Sequence, residues 1–171
     1  MGLKKTIGFS EYEPLLKTFI DLIHREMGEQ VVSVVLYGSV ARGTAGPESD
    51  VDVLLIVREA STEYWKRLQP LLPILRRLRK ELCWKKLEEQ GMMPFLSLLV
   101  LSLEEALENR CLYLDMVEEA RILLDRDGFF QGKLERMRQR LKELGAKRVQ
   151  RNGDWYWDLK PDLMPGEVVT L

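Results

Sequence analysis

Apolar positions recur at helical spacing near the start of the chain. Tyr12, Leu15, Leu16, Phe19, Ile20, Ile23 and Met27 fall on one side of an α-helix. Ser10, with Glu13 in the capping-box position after it, reads as the start of that helix, and Gly28 as its stop. The period then changes. VVSVVLY (31–37) and VDVLLIV (51–57) are short, β-branched and apolar on both faces. That is the pattern of strands covered on two sides.

A helical pattern resumes at Ser61, and Pro70 and Pro73 divide it into a short piece and a longer one ending near Glu89. MPFLSLLVLS (93–102) predicts a third strand. Ser102 with Glu105 forms a second capping box, opening a helix that runs to about Glu119. ARILLD (120–125) is a fourth short strand and DRDG (125–128) a turn. A basic helix follows from Phe129 to about Leu144, ended by Gly145. AKRVQ and WYWDL then flank RNGD, whose Asn152-Gly153 pair is a strong hairpin signal. The order is α-β-β-α-β-α-β-α and a hairpin. It predicts an α+β (mixed α/β) fold: one sheet with helices packed on it. Residues 1–128 read as the main domain, and residues 129–171 as a basic helix, hairpin and tail packed on it.

Composition narrows this picture. The chain has 171 residues, a length suited to one domain; 46% are apolar and 31% charged, which supplies a core and argues against disorder. The net charge of −1 exerts no overall pull on nucleic acid or an anionic membrane. Cys83 and Cys111 lack metal-ligand spacing and read as reduced thiols. No apolar run approaches the ~20 residues of a membrane span, and no leader pattern follows the N-terminus. A soluble, cytoplasmic protein is expected.

Candidate chemistry concentrates between the first two strands, in YGSVARGTAGPESDVD (37–52). On a strand, residues i and i+2 face the same way, so Asp50 and Asp52 present two carboxylates together while Val51 points away. Such a pair repels, and a divalent cation between them relieves the repulsion. Oxygen-only donors suit Mg²⁺ or Mn²⁺, which take further ligands from substrate phosphates. The preceding loop offers a phosphate cradle. Gly38 permits close backbone approach, Ser39 adds a hydroxyl and an N–H, and the 39–42 segment can form a helical turn. Arg42 has a planar fork suited to phosphate. Ser49 is placed as a turn residue or a donor beside the metal.

Taken together, this stretch resembles the active-site signature of polymerase-beta-type nucleotidyltransferases, and most closely that of the small stand-alone members called minimal nucleotidyltransferases. The signature is Gly-Ser, then Ala-Arg-Gly, then Ser-Asp-x-Asp opening the next strand. Residues 38, 39, 41 to 43, 49, 50 and 52 match it. The resemblance implies the nucleotidyltransferase fold over about residues 10–127. It implies a nucleoside triphosphate, most often ATP, held on Gly38-Ser39 with Mg²⁺ at Asp50 and Asp52. It further implies transfer of AMP to an acceptor hydroxyl with release of pyrophosphate. Small members commonly act as antitoxins beside a helical HEPN-type partner, some by adenylylating it. A catalytically degenerate domain that only binds nucleotide or that partner is the alternative.

The family pattern includes a third carboxylate on the strand read here at 94–101, and PFLSLLVL has none; Ser97 stands there instead. Three accounts are open. Asp125 or Asp127 reaches the site, or one metal suffices while the substrate brings its own base, or transfer has been lost. His24, the one histidine, has no partner at catalytic spacing. Lys133, Arg136, Arg138, Arg140, Lys142, Lys147, Arg148 and Arg151 make the C-terminal segment basic. That is a solvated helix face or a nucleic-acid docking surface. Trp155, Tyr156 and Trp157 suit a core, a base-stacking platform, or a partner or homodimer surface.

Overall fold

The structure is a computed structural model, and it describes residues 6–151 and 154–171. The Asn152-Gly153 turn expected from the sequence lies outside the described residues. Helix α1 spans Phe9–Met27. Strand β1 (Val31–Tyr37) leads into the short helix α2 (Gly38–Arg42), and β2 (Val51–Val57) follows. Three helices come next: α3 (Tyr64–Leu68), α4 (Leu71–Leu78) and α5 (Leu82–Glu89). Then come β3 (Leu96–Ser102), α6 (Leu103–Leu107), α7 (Cys111–Glu119), β4 (Arg121–Asp125) and α8 (Phe129–Glu143). The hairpin β5 (Lys147–Arg151) and β6 (Asp154–Asp158) closes the order.

The main sheet runs β3-β2-β1-β4. β1 is antiparallel to β2 and β4, whereas β2 and β3 are parallel, so the sheet is mixed. Side-chain alternation on β2 sorts the core into two halves. Val51, Val53, Leu55 and Val57 pack with Leu15, Phe19 and Ile23 of α1 and with Leu71, Ile74 and Leu78 of α4. Leu54 and Ile56 face the other way, onto Tyr113, Met116 and Val117 of α7 and Phe130, Leu134 and Met137 of α8. The helix layers on both faces explain why these strands read as continuous apolar runs.

Local signals misplace some helix boundaries. The first helix is capped not by Ser10 and Glu13 but two residues earlier, where the Gly8 N–H donates to Glu11 Oε2 at 3.0 Å. The helix expected to run to Glu89 is broken again between Leu78 and Leu82. The helix expected over 103–119 is two, parted at Glu108–Arg110. Lys133 of α8 bonds the Leu107 carbonyl and, at 2.6 Å, Asn109 Oδ1; Arg110 Nε bonds the Glu105 carbonyl at 3.2 Å. These long side chains take up polar groups that a continuous helix would have satisfied itself.

The edge strand β3 is covered by α3. Tyr64 donates to the Leu98 carbonyl at 2.8 Å and Arg67 Nη1 to the Val100 carbonyl at 3.0 Å. Edge carbonyls that would otherwise invite pairing are thereby occupied. Arg67 also forks onto both oxygens of Glu105, at 2.7 and 2.8 Å. Glu105 in turn completes the Ser102 capping box, accepting the Ser102 N–H at 2.9 Å while Ser102 Oγ accepts the Glu105 N–H at 3.2 Å. One carboxylate therefore joins α3, β3 and α6.

Hydrogen bonding from Arg67 holds the Glu105 carboxyl below its ordinary value of 4.5. A depressed folded-state value contributes stability that is complete above 4.5 and lost as the pH falls through the depressed value. Urea unfolding between pH 7 and pH 3 should therefore show an acid-side decline that is shallower in Glu105→Gln than in the wild-type protein.

Candidate active site

Asp52 is the one polar side chain on β2. It lies at the amino end of the strand, half-buried on the α7–α8 face. Its register partner on β1 is Tyr37, the last residue before Gly38, and its partner on β3 is Ser97. Burial pushes the Asp52 carboxyl above its ordinary value. The Ser97 hydroxyl favours the charged form, the neighbouring Asp50 opposes it, and the Arg42 guanidinium favours it. The same burial, with Asp52 and Tyr64 adding to it, raises the Tyr37 phenol to about 12. Asp50 is exposed, directly before β2, and Val51 between the two aspartates is fully buried on the other face.

Gly38 makes this arrangement sterically feasible. Its φ is +74°, and a Cβ built there would lie 2.3 Å from Asp52 Oδ2. The backbone of the Gly-Ser turn thus runs directly against the carboxylate. Ser39 follows in α2, where its carbonyl accepts the Thr44 N–H at 2.9 Å. Val40 and Ala41 are buried and fix the turn to the core. Ser49 closes the loop: its Oγ accepts the Gly46 N–H at 2.9 Å, and its own N–H reaches the Gly46 carbonyl at 3.1 Å. Arg42 does not sit free. Its Nη1 donates to Glu119 Oε2, at the end of α7, at 2.9 Å.

Asp125 does not reach the carboxylate pair. It faces Ser33 in the β1–β4 register, whereas Asp52 faces Tyr37 on the same β1. Four residues of strand, about 13 Å, separate the two levels. The Asp125 carboxylate is already engaged by the Ser33 hydroxyl and by the N–H groups of Phe130 and Gln131. It caps α8. Asp127 follows at the same end of the sheet, in a turn with φ +54°. Among the described residues no group of three or more His, Cys, Asp or Glu side chains is arranged to hold a metal.

The donor set that remains is two carboxylates, one half-buried, against a turn with no Cβ in the way. Comparison with known proteins decides which family builds such a site. A family model described as "Nucleotidyltransferase domain" matches residues 17–149. The chain belongs to the nucleotidyltransferase domain family. It is 27% identical over 142 residues to a Methanocaldococcus jannaschii protein named "putative protein adenylyltransferase", covering 82% of this chain and 90% of that one. A solved toxin–antitoxin structure with AMP-PNP aligns at 15% identity and a TM-score of 0.46, over 75% of this chain and 91% of that chain. Across the matched region of this nucleotidyltransferase domain, the turn, both aspartates and the Ser97 position all fall inside the family's span. No helix among the described residues is long and apolar enough to cross a membrane.

Two glycines with nearly equal φ separate the effect of close approach from that of backbone strain. Gly43, at +76°, has open space where a Cβ would point. Gly43→Ala should cost about 1 kcal/mol from strain alone. Gly38→Ala must also displace Asp52 and should cost about 2–4 kcal/mol. Chemical denaturation of the two variants measures the difference.

Proposed function

We propose that the protein transfers a nucleoside monophosphate, AMP from ATP, to an acceptor hydroxyl. One observation carries this reading: the Gly38 backbone lies against the Asp52 carboxylate, so a triphosphate on the turn would adjoin the acidic pair. Family membership supports nucleotidyl transfer in general. The name of the Methanocaldococcus relative supports adenylyl transfer.

The residues fit a magnesium-type ion. Asp50 and Asp52 offer only oxygen donors; burial above all, and the neighbouring Asp50 charge in addition, disfavour the Asp52 carboxylate, and a cation at the pair would offset both. When bound there, such an ion supplies charge neutralisation for the triphosphate and for the developing pyrophosphate. The chain's own residues do the rest. Gly38 and Ser39 contribute backbone N–H groups and a hydroxyl to phosphate oxygens. Ser49 keeps the 46–49 loop folded so that Asp50 enters β2 beside the turn. Arg42 offers its unpaired guanidinium edge to phosphate. The acceptor oxygen forms a bond to the α-phosphorus, the bond from that phosphorus to the bridging oxygen breaks, and pyrophosphate leaves. The acceptor's proton goes to a base outside the aspartate pair, brought by the substrate.

A second reading draws on Ser97. With a serine where the family signature calls for a carboxylate, the domain would bind nucleotide or a helical HEPN-type partner without transfer. The exposed Trp155 and Tyr156 suit such a partner surface.

Incubation with α-labelled ATP, Mg²⁺ and candidate acceptor proteins separates the two. Transfer should fall about 10²-fold or more in Asp50→Asn and in Asp52→Asn, and vanish with chelator. Nucleotide binding with no label incorporated into any acceptor would favour the binding module.

A further inference from the structure

A chain of charged groups links the C-terminal hairpin to the turn after β1. Glu119 ends α7 with its side chain only 12% exposed, and one oxygen meets Arg42 at 2.9 Å. Its other oxygen pairs with Arg148 of β5. Arg148 also pairs with Glu118 at 3.3 Å and Asp115 at 3.8 Å, and its side chain is 17% exposed. Its guanidinium lies 4.8 Å from the centre of the Trp155 ring on β6. Trp157 Nε1 donates to Asp115 Oδ1 at 3.0 Å, fixing the same strand to α7. The hairpin therefore grips α7 through both of its strands.

Arg42 uses one nitrogen for Glu119. Among the described residues, none of its remaining donors is bonded to protein. A guanidinium anchored through one nitrogen has its motion restrained, so less freedom is lost when its other nitrogens meet phosphate. A cavity of about 610 Å³ opens beside it, lined in part by Arg42, Thr44, Glu119, Arg121, Arg148 and Trp155.

We infer that Glu119 and Arg148 are positioning residues for Arg42: the hairpin fixes the Glu119 carboxylate, and Glu119 anchors Nη1 of Arg42 so that its remaining donors are presented to a nucleotide phosphate. This rests on the nucleotide reading above. A merely structural pair would hold the hairpin to α7 and leave nucleotide affinity alone.

Calorimetric titration with ATP and Mg²⁺, alongside melting temperatures, tests it. Glu119→Gln, nearly isosteric, and Arg148→Met should each weaken binding about tenfold, with Arg148→Lys retaining more affinity than Arg148→Met. In an Arg42→Met background Glu119→Gln should have no further effect, because the residue it acts through is gone. Wild-type affinity in Glu119→Gln, or an equal loss with and without Arg42, would overturn the inference while leaving the nucleotide site standing. Absence of ATP binding by the wild-type protein would overturn both.

Discussion

A carboxylate is built into the strand whose other side chains are all apolar. β2 is the second strand from the edge and is packed on both faces, so Asp52 must either be protonated or be stabilised from nearby. What stabilises it comes from elements on every side. Ser97 and Arg42 favour its charge, Asp50 and burial oppose it, and the Gly38 backbone occupies the space that any larger residue would need. The carboxylate and the glycine turn are thus sterically dependent on one another.

The loop between β1 and β2 is held by short-range bonds at one end and by distant residues at the other. Ser49 and Gly46 close the turn locally. Arg42 is tied to Glu119, 77 positions away, and through it to Arg148. The C-terminal segment, basic by composition, commits several of its cations to bonds within the molecule. Lys133 is buried against Leu107 and Asn109, Arg138 bonds the Val117 carbonyl, Arg140 the Thr170 carbonyl, and Arg148 the acidic end of α7. Arg136, Arg138, Lys142 and Lys147 stay exposed, so part of the basic run remains on the surface.

Most of the strand and helix pattern was legible because it is periodic and local. The two central strands, β1 and β2, begin and end where their apolar runs do, and Ser102 with Glu105 caps as its spacing says. Ser10 with Glu13 has the same spacing, yet the cap falls at Gly8, which donates through its backbone and has no side chain to advertise the role. The breaks after Leu78 and Leu107 were hidden for another reason. The second depends on Lys133 arriving from a later helix to satisfy the freed carbonyl.

By itself, the sequence determined the family, the mixed architecture and the candidate residues of the 38–52 loop, since a Gly-Ser turn and alternating aspartates are local patterns whose meaning survives without neighbours. Tertiary structure alone decided which groups meet. That Ser97 faces Asp52, that Asp125 is bonded to Ser33 at the far end of the sheet, and that Arg42 is paired with Glu119 of α7 all follow from strand register and helix packing. Those contacts join residues tens of positions apart, and no short-range periodicity encodes them.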